Sequence, residues 1–96
     1  MKAIWTAEAM RDREVIFEYV ARDNPMAAIK LDECFGEAVA LLATQPHLGK
    51  EGLVSGTREF IPHESYRLIY EVDADTLWIL ALVHTARRWP PPDYPV

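Results

Sequence analysis

Residues 57–84, TREFIPHESYRLIYEVDADTLWILALVH, decide the fold class because three strand patterns follow one another there. Strands are predicted at residues 57–61, 66–72 and 76–83, with Pro62 closing the first and Asp73-Ala74-Asp75 turning between the other two. Connections this short join neighbouring strands in antiparallel order. The segment therefore predicts an antiparallel meander.

Alternation along these strands assigns their side chains to two faces. On the middle strand we expect one face with Tyr66, Leu68, Tyr70 and Val72, and the other with Arg67, Ile69 and Glu71. The last strand is apolar on both faces, with Leu77, Ile79, Ala81 and Val83 predicted to share one of them. A strand of this kind is covered on both sides. We expect helices over one face, and a second cover or a partly apolar binding surface on the other.

Upstream of the meander, the sequence predicts one strand and two helices. Residues 2–5 form the opening strand, and Thr6 caps a helix that runs to about Arg22. Its apolar positions are Ala9, Ile16, Tyr19 and Val20. Asn24-Pro25 starts a second helix that Gln45-Pro46 ends. Its buried stripe is Ala28, Leu31, Phe35, Ala38 and Leu42.

The order of elements predicts an α+β fold, in which a helix hairpin packs on a small, mainly antiparallel sheet. Residues 47–56 contain three glycines and are expected to form a loop. The Pro-rich residues 89–96 are expected to be extended, because proline neither continues a helix nor donates to a ladder. With 96 residues, the chain is expected to be one domain.

Composition narrows the function classes. The net charge of −5 argues against bulk nucleic-acid binding, although the arginines Arg58, Arg67, Arg87 and Arg88 all fall in the second half and leave a local basic site open. The single cysteine, Cys34, cannot form an internal disulfide, and a cytoplasmic location is the simpler expectation. No secretion signal or membrane-spanning run is predicted, so no membrane partner is expected. No Cys/His cluster has metal spacing, and neither a metal nor a cofactor is expected.

Short motifs recur in a defined order along almost the whole chain. They are Ile4-Trp5, Ile16 with Tyr19-Val20, Asn24-Pro25 with Ala27-Ala28, Pro46-x-x-Gly49, Gly56-Thr57-Arg58-Glu59, Tyr66-Arg67-Leu68-Ile69-Tyr70 and His84-Thr85-Ala86-Arg87-Arg88-Trp89-Pro90. In this order and spacing the chain resembles the RelE/ParE superfamily of type II toxin–antitoxin toxins, and within it the ParE-like branch.

The resemblance implies a toxin that arrests growth and that a cognate antitoxin neutralises. ParE-like members poison DNA gyrase, whereas RelE-like members cleave messenger RNA on the ribosome, so the fold leaves the activity open. We expect a gyrase poison, with a ribosome-dependent endoribonuclease as the alternative. A third reading is an inactive member that only binds antitoxin. Both a homodimer and a toxin–antitoxin hetero-oligomer are compatible with the sequence.

An RNA-cleaving site would have to use the strand arginine Arg67, which matches the position of an arginine that looks catalytic in RNA-cleaving relatives. Arg67 would stabilise the phosphate, and His63, Glu59 or His84 would carry protons. The alternative is that Arg67 pairs with Glu59 or Glu71 across the sheet. His84 has an equally simple role as a strand-end residue that bonds the backbone and positions the tail.

Other residues are candidates for partner binding. Arg87-Arg88-Trp89 joins two cations to an aromatic ring, a combination enriched at protein interfaces and able to stack a base, although Trp89 could instead fold back onto the core. In ParE-like relatives this C-terminal stretch is tied to gyrase poisoning. Arg58 is a further candidate, with a salt bridge to Glu59 as its alternative. Arg13 stands where the family usually has an apolar residue, which either weakens the core face of the first helix or gives Arg13 a partner.

Overall fold

The computed structural model describes residues 1–94 and places two helices on one face of a five-stranded sheet. The elements are β1 (Lys2–Trp5), α1 (Ala7–Ala21), α2 (Pro25–Thr44), β2 (Lys50–Glu51), β3 (Arg58–His63), β4 (Tyr66–Asp73) and β5 (Thr76–His84). The strand order is β1-β5-β4-β3-β2; β1 runs parallel to β5, and the other pairs are antiparallel. The predicted α+β fold is confirmed. Neither helix has an apolar stretch long enough to span a bilayer.

Both helices begin at the residues that the sequence indicates. The Thr6 hydroxyl accepts a hydrogen bond from the Ala9 N–H at 3.1 Å, and the Asn24 side chain accepts one from the Ala27 N–H at 3.1 Å. Each cap satisfies one of the N–H groups that a first helical turn leaves unpaired. Pro25 then occupies the start of α2, where its missing N–H costs nothing.

The main core lies between α2 and the helix-facing side of the sheet. Its largest fully buried members are Phe35 and Leu42 from α2 together with Leu68, Tyr70, Leu77 and Ile79 from the strands. Burial of such side chains contributes about 1.5–3 kcal/mol each. The prediction for α1 is wrong at Tyr19, which is 67% exposed, because α1 contacts the core mainly through Ala9 and Ile16.

A bulge on β5 changes the predicted faces. Ile69 pairs with Ala81 and Tyr70 pairs with Ile79, so Leu80 is an extra residue in the ladder. The alternation restarts beyond it, and Leu82 joins Leu77 and Ile79 in the core under the helices, whereas Ala81 and Val83 lie on the opposite face. The prediction that Leu77, Ile79, Ala81 and Val83 share one face is therefore wrong.

The edge of the sheet near β2 also differs from the prediction. β3 continues through Pro62 to His63, because the register shifts between Phe60 and His63 and a bulge tolerates a residue without an N–H. Lys50–Glu51, predicted as loop, pairs with β3 as the short strand β2. The sheet therefore gains one narrow edge strand, and β3 ends two residues later than predicted.

The segment after β5 turns back over the sheet. We call its described part, residues 85–94, the tail, and we call the sheet face turned away from the helices the outer face. Turns and bends follow one another in the tail, and the Tyr94 N–H donates to the Pro91 carbonyl at 3.0 Å. The prediction of an extended segment is wrong for residues 89–94; residues 95–96 lie outside the described part. Trp89 packs on the outer face against Ile69, Ala81 and Val83, and so supplies the expected second cover.

Candidate functional site

Arg67 and Glu59 form an ion pair on the outer face. Arg67 Nη1 lies 3.4 Å from Glu59 Oε1, and the two side chains are 19% and 4% exposed. The other Glu59 oxygen accepts the Leu53 N–H at 3.2 Å. Arg67 therefore neutralises a buried carboxylate, as the cross-strand alternative anticipates.

The same arginine also holds the start of the tail. Arg67 Nη2 donates to the Thr85 carbonyl at 3.4 Å and to the Arg87 carbonyl at 3.3 Å. One guanidinium thus bridges β4, the buried Glu59 and the tail. Through these three hydrogen bonds, Arg67 braces the segment that carries Arg87.

Both histidines of the proposed acid–base set accept hydrogen bonds through Nδ1. The Ser65 N–H donates to His63 Nδ1 at 3.2 Å, and the Ala86 N–H donates to His84 Nδ1 at 3.0 Å. A nitrogen that accepts carries a lone pair, so each neutral ring holds its proton on Nε2. In that form the Nδ1 lone pair of each ring is engaged by the backbone. In this arrangement both rings shape the turns that follow β3 and β5.

Tyr66 separates the two histidines. It pairs with His63 on β3 and with His84 on β5, and its ring centroid lies 6.1 Å and 5.3 Å from theirs. The Tyr66 ring also meets Phe35 edge-on, which places it on the helix-facing side of the sheet. Arg67, the next residue on β4, points to the outer face. The structure therefore separates the proposed phosphate-binding arginine from both histidines, whereas Glu59, the third proposed proton carrier, lies beside it.

Arg58 and the buried Tyr70 fix the loop after α2. Arg58 Nη1 donates to the Gly49 carbonyl at 2.6 Å, and the Tyr70 hydroxyl donates to the Pro46 carbonyl at 2.7 Å while accepting the Gly49 N–H at 3.0 Å. A Cβ on Gly49 would lie 2.6 Å from the Tyr70 hydroxyl oxygen. The Pro46-x-x-Gly49 motif is thus explained by close packing on Tyr70, and Arg58 is used within the fold.

Arg13 likewise contacts the chain itself. Its Nε lies 2.6 Å from Asp32 Oδ1, a second nitrogen reaches Asp32 Oδ2 at 3.0 Å, and the guanidinium carbon lies 4.7 Å from the Trp5 ring centroid. A two-point pair combined with a cation–π contact holds both helices against β1. The partner role considered for Arg13 stays a prediction.

Trp89 is the centre of the tail's packing. Its ring lies 5.0 Å from that of Tyr94, centroid to centroid, in an edge-on arrangement. Its indole N–H is buried, yet it has no hydrogen-bond partner within residues 1–94. A buried donor without a partner costs about 1–3 kcal/mol. Trp89 therefore packs well as an apolar ring but is incompletely satisfied as a polar one.

A groove of about 690 Å³ opens between the N-terminal half of α1 and the tail, and we call it the tail groove. Its α1 side includes Arg11 and Asp12, its floor is residues 80–83 of β5, and its tail side includes Arg87, Arg88 and Trp89. The Leu82 N–H donates to Asp12 Oδ2 at 3.1 Å across the floor. Burial raises the pKa of the Asp12 carboxyl above its ordinary value of 3.8, although the Leu82 N–H partly opposes the shift.

The tail groove brings together the predicted Arg87, Arg88 and Trp89, and it adds residues that the sequence did not reveal. Arg11 and Asp12 come from α1 and Tyr94 from the tail, and only the folding of the tail toward α1 makes them neighbours. Within residues 1–94, no group of three or more potential ligands is placed to hold a metal ion. The arrangement offers cations, an aromatic wall and a strand edge, which suit binding better than proton transfer.

Comparison with known proteins gives consistent matches. A family model described as the ParE toxin of the type II toxin–antitoxin system parDE matches residues 3–89. Y4kP of Sinorhizobium fredii, named as a toxin candidate, is 33% identical over 87 residues, which are 90% of each chain. A solved chain of the chromosomal ParDE toxin–antitoxin system from P. aeruginosa superposes with a TM-score of 0.78 at 22% identity, and the match covers 88% of this chain and 95% of that chain. At that identity, the solved structure supports the fold alone.

Proposed function

This chain belongs to the ParE toxin family of type II toxin–antitoxin systems, and we propose that it arrests growth by binding DNA gyrase rather than by catalysing a reaction. Membership confirms the resemblance drawn from the sequence. The gyrase target is the inference that goes further. It rests on what the candidate residues do in the fold.

The observation that carries the proposal is the engagement of the acid–base set within the protein. Cleavage of RNA at a 2′-hydroxyl needs a free base, a phosphate-binding cation and an acid within reach of one another. Arg67 is occupied by Glu59 and by tail carbonyls, and His63 and His84 accept backbone N–H groups through Nδ1. This engagement favours a binding role over RNA cleavage.

The tail groove offers what a protein-binding toxin needs instead. Arg87 and Arg88 are exposed, and neither forms an ion pair within residues 1–94. Trp89 stands beside them, and tryptophan and arginine dominate the energetics of protein interfaces. We therefore place the gyrase contact on Arg87, Arg88 and Trp89.

We further propose that a cognate antitoxin neutralises the chain, forming a toxin–antitoxin hetero-oligomer. The matching family model is described as the toxin of a type II toxin–antitoxin system, which supports an antitoxin partner here. A gene beside this one that encodes a small protein co-purifying with the chain, and restoring growth, is the expected finding. An isolated gene without such a neighbour would argue against the antitoxin.

The test of the gyrase proposal is a supercoiling assay with purified protein, combined with a messenger-RNA integrity assay in expressing cells. Inhibition of supercoiling is expected, and Trp89→Ala should weaken it at least about tenfold, the size of an interface hot spot. Tyr19→Ala is the matched control, because Tyr19 is an exposed aromatic residue on α1 that does not line the tail groove. Intact supercoiling at micromolar protein would refute the proposal, and cut messages during growth arrest would favour the endoribonuclease.

A further inference from the structure

The tail divides into an anchored part and a part that no hydrogen bond ties to the sheet. Residues 85–87 are anchored, because the Thr85 N–H donates to the Ser65 carbonyl at 2.8 Å and Arg67 holds two carbonyls of this part. We call residues 88–94 the strap. Within residues 1–94, the strap makes one hydrogen bond, the turn bond inside it that was described above. The strap is therefore held to the rest of the protein by packing alone.

Most of that packing comes from a single side chain. Trp89 is half-buried and lies on the apolar cluster of the outer face. Three consecutive prolines follow it, residues 90–92, which have no N–H to donate and whose rings restrict the backbone. Arg88, which precedes it, is exposed. The strap is thus a stiff segment that can turn about Arg88 once the indole ring leaves the sheet.

The docked position of Trp89 combines a favourable and an unfavourable term. Burial of the ring against the outer face favours docking. The buried indole N–H opposes it, because this donor has no partner within residues 1–94 and would gain one in water or on the oxygen of a binding partner. In the docked position the same N–H is also out of a partner's reach. Opposing terms of this kind bring two positions close in free energy, so that both are populated.

We infer that the strap alternates between the docked position and a released one, and that a partner binds Trp89 in the released position. The docked position already exposes Arg87 and Arg88, and release adds the aromatic ring with its donor. Docking therefore withholds the tryptophan from the partner, and the apparent affinity scales with the released fraction. The inference rests on the proposed function for the identity of the partner, gyrase, whereas release is measured on the isolated protein.

The first test follows hydrogen exchange of the Trp89 indole N–H by NMR, with its signal assigned by its loss in Trp89→Phe. The N–H should exchange at least about fivefold more slowly than in a free tryptophan, because the ring is docked most of the time. Below the unfolding transition its rate should hardly depend on urea, since release exposes little surface. The amide of Leu68, which is 0% exposed, should instead exchange faster as urea is added. An unprotected indole N–H, or one with the urea dependence of Leu68, would overturn the inference.

The second test shifts the strap with a matched pair of variants. Val83→Thr puts a hydroxyl under the Trp89 ring, and Val39→Thr makes the same change in the core under the helices, where the valine is equally buried at 6% exposure. Val83→Thr should speed indole exchange at least about fivefold, the effect of an apolar contact made polar. A folded Val39→Thr protein, as judged by circular dichroism, should keep the wild-type rate although its Tm is lower. Equal acceleration in both variants would contradict a local release.

The supercoiling assay connects release to binding. Val83→Thr should lower the half-inhibitory concentration by the same factor by which it speeds indole exchange, because more of the protein has its strap released. Unchanged or weaker inhibition by Val83→Thr would show that the docked form binds, and would overturn the inference. Absence of inhibition by the wild type would refute gyrase as the target, and the exchange rates of the two variants would then decide on release by themselves.

Discussion

Replacing Arg67 by methionine should destabilise the fold even though the apolar stem is kept. The change leaves the Glu59 carboxylate, whose side chain is 4% exposed, without its cation, and breaking a buried ion pair costs about 3–5 kcal/mol. Two features lower that figure. The two charged groups lie 3.4 Å apart, and Glu59 keeps the Leu53 N–H at 3.2 Å. We expect a loss of about 2–3 kcal/mol, and therefore a Tm lower by roughly 10–20 °C for a chain of this size.

The assay is thermal unfolding followed by circular dichroism for the wild type, Arg67→Met, Glu59→Gln and the double variant. Glutamine removes the buried anion and keeps an oxygen for Leu53, so the double variant should recover at least about 1 kcal/mol of the loss. Growth arrest on induction is measured for the same four proteins. The double variant should be more stable than Arg67→Met. If the tail returns to its position in the double variant, growth arrest should also be stronger than with Arg67→Met.

Two results would refute this reasoning. One is an Arg67→Met protein that melts with the wild type, which would mean that Glu59 does not need the guanidinium. The other is a fully stable Arg67→Met protein that has lost toxicity, since that would assign Arg67 to direct contact with a target. The second result would favour the endoribonuclease, the alternative activity, over the gyrase poison.

Three further predictions test the loop, the helix packing and the tail groove. Tyr70→Phe should lower the stability by about 2 kcal/mol, because it leaves the Pro46 carbonyl and the Gly49 N–H without their partner; an unchanged urea midpoint would contradict this. Gly49→Ala should unfold at a lower temperature, since its Cβ would lie 2.6 Å from the Tyr70 hydroxyl oxygen. Gly36→Ala in α2, whose Cβ would have its nearest contact at 3.5 Å, should instead raise the free energy of unfolding by about 0.5–1 kcal/mol. Equal effects of the two substitutions would refute the packing argument. Burial raises the pKa of the Asp12 carboxyl above 3.8. The stability of the wild type relative to Asp12→Asn should therefore be greatest below pH 3.8 and decline as the pH rises through the pKa of the folded state. A difference in Tm between the two proteins that does not change with pH would contradict this prediction.

Local signals in the sequence were sufficient for most of the fold. The caps Thr6 and Asn24 and the stripe on α2 are short-range features, and the structure confirms them. The bulge at Leu80 could not be predicted, because an unbroken apolar strand has the same sequence pattern with or without an extra residue. β2 was missed for a related reason. Its two residues follow a loop that the Tyr70 hydroxyl holds by donating a hydrogen bond to the Pro46 carbonyl. Tyr70 lies 24 residues from Pro46 in the sequence, so no local pattern reveals this contact.

The candidate site was less accessible to sequence reasoning than the fold. Residue type pointed to Arg67, His63 and His84 as a catalytic set, but their hydrogen bonds depend on strand register and turn geometry. Arg87 and Arg88 were identified as candidates for partner binding because their charge and their position next to Trp89 are evident in the sequence. Asp12 was not found, since its partner, the Leu82 N–H, is 70 residues away and belongs to the backbone.

The parallel pairing of β1 with β5 sets an order on folding. Lys2 pairs with Thr76, so β1 finds its neighbour only after residues 6–75, which separate it from β5, have been synthesised. Closing so long a loop is entropically costly and slows folding relative to local contacts. A nascent chain that stops before Thr76 can form the helix pair and β3 with β4, but it lacks the floor of the tail groove. The tail groove is therefore completed only after the helix pair, β3 and β4 have been synthesised.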